Sequence, residues 1–295
     1  MQASSQRFDP RQTMHRQNYE IFHYREPRPD LVEVHHHDFY EVYFFLGGKV
    51  EYWVEGRVFH LEPADLLLIG PMELHRPILH PESNLYDRIV LWIDKTYLEK
   101  LSLGNNISLD RCFDNSLPTH TNLLRLTSSQ KQNVTLRLEE LVRESYSNEY
   151  GSVLMSEGIL LQFLVELNRI ALQSDADESK SESSPLVGRV LSYINEHYQE
   201  ELTLEGIAQH FYVSKYHLSH EFRSAVGCGV YRYIILKRLL VARQMLMNGS
   251  APVEVCTSCG FRDYTNFYRA FKSEYGVSPR ECLQNEGYNT VIEES

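Results

Sequence analysis

The chain has 295 residues and a formal charge of −11, with 29 Lys and Arg against 40 Asp and Glu. A hydrophobic fraction of 42% and a charged fraction of 23% exclude whole-chain disorder, and the length predicts about two domains. No apolar run approaches the roughly 20 residues of a membrane-spanning helix, and the first twenty residues hold nothing that reads as a signal peptide.

A cytoplasmic protein with no membrane partner is therefore expected. The five cysteines, an odd number without an export signal, point to reduced thiols rather than a disulfide framework. Taken whole, the acidic balance argues against nucleic acid, because binding phosphate needs local positive charge. That argument has to be made by region.

From the N terminus to about residue 113 the chain reads as sheet. EVYFFL, EYWVEG, RVFHL, DLLLI and RIVLWI are short β-rich runs separated by Gly-Gly, Glu-Pro and Gly-Pro. Close spacing of such runs predicts an antiparallel barrel or sandwich.

Within it, HHHDFYEVYFFLGG covers 35–48. His35 and His37 share parity, so on a strand they point to one face. Asp38 begins a turn, Glu41 opens the next strand, and His75 follows the DLLLI run. His-x-His, Glu four residues on and a distant His form a ligand set for a divalent metal. The same run resembles the cupin motif His-x-His-x3-Glu-x6-Gly at His35, His37, Glu41 and Gly48. A second cupin motif is matched by Asp65, Pro71 and His75, with Glu73 where that family usually has Gly. Three uses stay open: ligand-contacting histidines without metal, a structural or sensing metal, and a catalytic metal. No cofactor is expected otherwise.

A small-molecule pocket in the barrel mouth is the default expectation. Tyr19, Phe22, His23, Tyr24, Arg25 and Arg28 form an arm that can close over it. Tyr43, Trp53, His75 and Trp92 supply rings and polar contacts inside. The ligand-binding candidates are Tyr24, Arg25, His35, His37, Glu41, Tyr43, Trp53, His75 and Trp92. Rings that stack on apolar sugar faces, beside groups that meet hydroxyls, suit polyols and sugars.

Residues 130–148 and 153–172 switch to helical period at Val134, Leu138, Leu141 and Val142 and at Leu154, Leu161, Leu164 and Leu167, with Gly151 marking the break. Their stripes face either the barrel or a second chain. Residues 174–184, SDADESKSESS, lack any aromatic or large aliphatic side chain and read as a linker. The expected division is a sensing and dimerisation domain at 1–173, a linker at 174–185, a helical domain at 186–285 and a flexible tail at 286–295. The charge divides unevenly. Before 186 there are 18 bases and 28 acids, a net of −10, whereas 186–285 carries 11 bases and 9 acids, a net of +2.

The helical domain holds an internal repeat. IAQHFYVSKYHLSHEFRSAVG at 207–227 aligns with VCTSCGFRDYTNFYRAFKSEYG at 255–276. Ala208 matches Cys256, Leu218 matches Phe267, Phe222 matches Phe271, and Gly227 matches Gly276. Each copy is a short helix, a tight turn and a longer helix, as a helix-turn-helix requires. Ala208 and Cys256 are small where the helices cross. Ser214 and Asp263 cap the second helix. One face, Leu218, Phe222 and Ala225 or Phe267, Phe271 and Tyr275, points inward. Lys215, Tyr216, Ser219, His220 and Arg223 in the first copy, and Tyr264, Thr265, Asn266, Arg269 and Lys272 in the second, are left for base edges and phosphates. Residues 230–248 between the copies form a helix of about 28 Å, close to the roughly 34 Å between successive major-groove faces. Cys256 and Cys259 read as packing residues, because a zinc site needs four ligands and no second pair is near.

Residues about 187–284 resemble the DNA-binding domain of the AraC/XylS family of bacterial transcription regulators. The resemblance rests on Ala208, Ser214, Leu218, Phe222, Gly227, Tyr233, Arg238, Ala242, Leu246 and the run GFRDYTNFYRAFKSEYGVSP at 260–279. It implies a seven-helix domain in which a long helix joins two reading helices. Base contacts are implied for Tyr216, Ser219 and His220 in the first head and for Tyr264, Thr265, Asn266 and Arg269 in the second. Activation or repression at promoters, contact with RNA polymerase and a homodimer are implied as well. Resemblance to the sugar-responsive members implies a carbohydrate effector. The fold class expected is α+β multidomain. An N-terminal antiparallel β-barrel, cupin- or jelly-roll-like, is followed by two helices and an all-α domain with two helix-turn-helix motifs. The function expected is ligand-responsive regulation of transcription, not enzymatic turnover. The alternative is a metal-dependent cupin enzyme fused to a DNA-binding domain.

Overall fold

A computed structural model describes residues 13–27, 32–80, 82, 85–117, 120–173 and 185–283. The chain forms two compact units, Met1–Glu182 and Ser183–Ser295. The expected linker residues 174–184 and the tail 286–295 lie outside the described residues. Pro185, read as the end of the linker, is the first residue of a helix, since its fixed φ and missing N–H suit a helix start.

The first unit is antiparallel throughout. β1 (Tyr19–Glu26), β7 (Tyr86–Ile93), β2 (Tyr40–Gly47), β5 (Leu66–Ile69) and β8 (Leu123–Leu124) make a five-stranded sheet in that order. β4 (Arg57–His60), β3 (Val50–Val54) and β6 (His75–Leu79) make a three-stranded sheet. Period-2 alternation sends each strand's side chains to two faces, and in the larger sheet both faces are apolar. Tyr40, Val42, Phe44, Leu66, Leu68, Ile89 and Leu91 join one core with residues of the helices. Tyr43, Phe45, Leu67, Ile69, Val90 and Trp92 join a second core with Val50, Tyr52 and Val54 of the smaller sheet. This second core is the barrel interior. Burial on both faces explains why EVYFFL and RIVLWI read as continuous apolar runs.

The helices are α1 (Lys95–Asn105), α2 (Ser128–Ser145) and α3 (Ser152–Gln173). Thr127 and Gln130 form a reciprocal capping box that fixes the start of α2. Val134, Leu138, Leu141, Phe163, Leu164 and Leu167 carry the stripes that pack on the sheet. α1 lies in a region expected to be sheet. Its start is local, since the Asp94 carboxylate accepts the Tyr97 N–H at 2.9 Å.

The segment expected to act as an arm is β1, paired with β7 from Tyr19↔Ile93 to Glu26↔Tyr86. Its backbone groups are satisfied by a full ladder, which an arm would leave to solvent. Arg28, placed in the same arm, lies outside the described residues.

The second unit is helical: α4 (Pro185–His197), α5 (Leu204–His210), α6 (Lys215–Val226), α7 (Val230–Met247), α8 (Pro252–Ser258) and α9 (Tyr264–Tyr275), with residues 279–283 helical again. α7 serves both halves. Its Tyr233 ring meets Phe222 of α6 at 5.7 Å. Its Leu239, Ala242 and Leu246 pack with Val255, Cys256, Phe261, Phe267 and Phe271. No helix among the described residues is long and apolar enough to cross a membrane.

Candidate functional site

The helix pairs α5–α6 and α8–α9 are built alike. The Ser214 hydroxyl accepts the His217 N–H at 3.1 Å, and the Asp263 carboxylate accepts the Asn266 N–H at 2.8 Å, so each longer helix starts on a side-chain cap. Gly227 (φ 87°) and Gly276 (φ 73°) end them in the left-handed conformation. Leu218, Phe222, Phe267 and Phe271 are fully buried. Lys215, Tyr216, His220, Arg223, Tyr264, Thr265, Asn266, Arg269 and Lys272 are all exposed, and Ser219 is partly so. Lys215 pairs with Glu205 at 3.3 Å, whereas Arg223 and Arg269 have no carboxylate within ion-pair distance among the described residues.

The turn between α8 and α9 allows only glycine. Gly260 has φ +78°, and a Cβ there would stand 2.5 Å from the Gln199 carbonyl oxygen. The matching turn of the first pair uses Tyr212 at φ 56°, with its ring in solvent. Arg238 of α7 is buried and donates to the Tyr198 and Glu200 carbonyls at 2.8 and 2.7 Å, tying the end of α4 to the long helix. Both cysteines of the Cys-x-x-Cys pair are packing residues. They are buried, Cys259 Sγ lies 3.8 Å from Met245 Sδ, and burial pushes its thiol up to about 11.

In the barrel, His35 and His75 form a backbone bridge (3.1 and 2.9 Å), their rings 4.3 Å apart. Three imidazoles use Nδ1 alike: His35 with the Glu33 carbonyl at 2.8 Å, His37 with that of Phe39 at 2.9 Å, and His75 with that of Glu73 at 2.8 Å. A carbonyl only accepts, so each Nδ1 carries the proton. Burial, with the neighbouring histidines, holds the His75 imidazole well below its usual range, and burial takes His35 to about 4.

Glu41 is buried. Its Oε2 accepts the Trp92 indole N–H at 2.8 Å and lies 3.5 Å from His37 Nε2, and Oε1 lies 3.5 Å from the Tyr52 hydroxyl. Burial pushes the carboxyl up, but His37 and the Trp92 N–H outweigh it, and the group sits below the usual carboxylate range. One ligand atom each from His37, Glu41 and His75 lies within 4.8 Å of the others. His35, placed in the same set from sequence, is not one of the three.

Tyr43 and Trp92 face the interior, and so does Tyr24, which is expected in an arm but stands on β1 instead. Trp53 does not join them. It stands between Tyr52 and Val54, which are interior, so it points to the other face of β3. Arg25 also points away, is largely exposed, and pairs with Asp87 at 3.5 Å. Glu73 is a turn staple, accepting the Gly70 N–H at 2.7 Å and the Asn122 amide at 3.2 Å.

Sequence reasoning missed three interior groups. Tyr52 has the parity of Val50 and Val54, a signal that could have selected it over Trp53. Tyr86 accepts the Tyr43 hydroxyl proton at 2.7 Å. Arg88 is 2% exposed, with its guanidinium 3.7 Å from the centre of the Tyr86 ring and 2.9 Å from Glu26.

A family model described as "AraC-like ligand binding domain" matches residues 18–164, and one described as "Helix-turn-helix domain" matches residues 207–285. The HTH-type transcriptional activator RhaS of Escherichia coli is 26% identical over 261 residues, spanning 88% of this chain and 90% of its own. Among solved structures, the C-terminal domain of AraT, a response regulator from Geobacillus stearothermophilus, is 30% identical over 36% of this chain and 88% of that domain, with a TM-score of 0.35. ToxT from Vibrio cholerae is 14% identical over 90% of this chain and 98% of its own, with a TM-score of 0.37.

Proposed function

The chain belongs to the AraC/XylS family of transcription regulators, and we propose that it reads promoter DNA through α6 and α9 under the control of a sugar or closely related small molecule held in the barrel. The observation that carries the reading is the pair of capped helices, each with one buried stripe and one exposed polar and basic face. In this reading Tyr216, Ser219, His220, Tyr264, Thr265, Asn266 and Arg269 meet base edges, while Lys215, Arg223 and Lys272 meet phosphate.

The effector side rests on the interior lining. Trp92, Phe39 and Tyr52 offer ring faces to apolar sugar surfaces, and Tyr43, Tyr86, Arg88 and the histidines offer partners for hydroxyls. Val153, Leu154 and Met155 near the start of α3 are exposed apolar side chains, which supports a homodimer formed through these helices. Contact with RNA polymerase follows from the family alone. Ligand control requires that the effector bind two arrangements of the protein with different affinity.

The test is a thermal-shift panel of sugars and sugar acids on the purified chain, repeated with a promoter duplex that the protein selects from genomic fragments. A true effector at 100 times its dissociation constant adds about 2.7 kcal/mol to the state it binds, a clear rise in melting temperature. A panel with no shift removes the sugar reading and leaves the DNA reading standing.

A further inference from the structure

We infer that a groove between the two reading heads seats the sugar-phosphate backbone of DNA, with Arg262 and Tyr231 as its contacts and Glu201 as an internal competitor for Arg262. The inference rests on the reading in which α6 and α9 enter the duplex. To that reading it adds a third point of contact and a built-in brake on affinity.

The first observation is place. A groove of about 840 Å³ lies within the helical unit. It is lined by Glu201 between α4 and α5, Tyr231 near the start of α7, Arg262 just before α9, and Asn266 and Arg269 on α9. Asn266 and Arg269 are exposed on the face assigned to base edges, so the groove opens on the side that meets the duplex. Two heads that enter successive major grooves on one side of B-DNA have the minor groove and its two phosphate strands between them. Backbone therefore crosses the protein surface between the heads, and the groove is a recess at that place.

The second is charge. Arg232, Arg238, Arg262 and Arg269 stand among the lining residues against Glu201 as the single acid, a net of +3. The whole segment 186–285 carries only +2, so its positive charge is gathered here. Arg232 pairs with Glu274 at 2.7 Å and Arg238 is committed to backbone carbonyls, which leaves Arg262 and Arg269 as the cations of the open groove. A recess of this kind attracts a polyanion. Tyr231 adds a ring left largely in solvent, with a hydroxyl that can donate to a phosphate oxygen.

The third is the ion pair between Arg262 and Glu201, whose side chains are 72% and 65% exposed. A pair so open to water is worth little. A phosphate, which a guanidinium can meet with two parallel hydrogen bonds, can therefore take Arg262 over from the carboxylate. The displaced carboxylate then stands near the phosphate, like charge beside like, so Glu201 lowers affinity for any sequence.

The experiment uses the full chain and fluorescence anisotropy over a series of salt concentrations. Three duplexes are compared: one that the protein selects, an unrelated one, and the selected one with neutral methylphosphonates between the two major-groove contacts. Arg262→Ala is expected to weaken both unmodified duplexes by the same factor and to lower the slope of log affinity against log salt by about 1. Tyr231→Phe is expected to weaken both at least about threefold at unchanged slope, because a hydroxyl carries no charge. Glu201→Gln is expected to strengthen both at least about threefold. The methylphosphonates are expected to weaken wild type and to leave Arg262→Ala little changed, which locates the contact between the heads. Circular dichroism checks folding, and Arg262→Gln replaces Arg262→Ala if that variant fails to fold. Wild-type affinity and slope in Arg262→Ala, unchanged or weaker binding by Glu201→Gln, or a loss confined to one sequence would overturn the inference. If Arg269→Ala weakens the selected duplex in the same series, the reading of DNA by α9 stands and the groove assignment alone fails. A wild type that binds no duplex overturns both.

Discussion

Glu41 and Trp92 are register partners on β2 and β7, and the Trp92 indole N–H donates to Glu41 Oε2 at 2.8 Å inside the barrel. The contact joins a buried carboxylate to one of its few donors. Trp92→Phe keeps most of the ring and removes that donor. The expected loss is about 1–3 kcal/mol, the range for a buried acceptor left short of a partner. It is read as a lower urea midpoint at unchanged slope. A variant as stable as wild type would show that the carboxylate is satisfied by other groups.

Arg238 gives the helical unit a similar internal tie. Arg238→Ala leaves the Tyr198 and Glu200 carbonyls without their donor and a hole beside α7. A destabilisation of about 3 kcal/mol is expected from two such bonds. Arg238→Lys, with a single ammonium, is expected to recover only part of it, because one point donor cannot reproduce the two-pronged geometry. Full recovery by Lys would mean that packing of the side-chain stem carries the effect.

Gly260 and Tyr212 occupy matching turns with positive φ, and only the first is crowded. Gly260→Ala adds a left-handed penalty of about 1–2 kcal/mol to a clash with the Gln199 backbone, so a loss of at least about 2 kcal/mol is expected. Tyr212→Ala meets no such clash, and a change within about 0.5 kcal/mol is expected at that surface position. Chemical denaturation of the two variants side by side checks the contrast. Equal effects would contradict the close approach at Gly260.

The helix-turn-helix pairs were legible because their signals are local: Ser214 and Asp263 cap the residues three ahead, and Gly227 and Gly276 stop the helices. The barrel was legible in its strands and less so in its lining. A one-residue difference in parity sends Tyr52 inward and Trp53 outward, and the sequence gives no frame for choosing until the strand is paired. β1 has apolar residues on both faces, so its composition suits a mobile flap and a paired strand equally. Its role is set by the exposed edge of β7, a tertiary fact. Arg88 opens the strand run RIVLWI, where nothing local marks it as buried. Its burial depends on Glu26, Tyr24 and Tyr86, which only strand pairing assembles. The acidic total also hid the reader, because the sensor half carries a net charge of −10.

Arg223 lies near the end of α6, exposed and without a carboxylate within ion-pair distance among the described residues. In the proposed reading a base in that place meets phosphate, which carries no sequence information. Arg223→Ala is expected to weaken binding to selected and unrelated duplexes alike and to lower the slope of log affinity against log salt by about 1. An effect confined to one sequence would assign Arg223 to a base edge instead.

The central claim is that α9 reads sequence through its exposed face, with Arg269 as the proposed base-contacting residue. The most direct measurement is the affinity of wild type and Arg269→Ala, by fluorescence anisotropy at fixed salt, for the selected duplex and for single-base variants of it. The account predicts a loss of about 5- to 150-fold on the selected duplex, equivalent to about 1–3 kcal/mol, with relaxed discrimination at one base pair. Equal affinity and unchanged discrimination in the two proteins would contradict it.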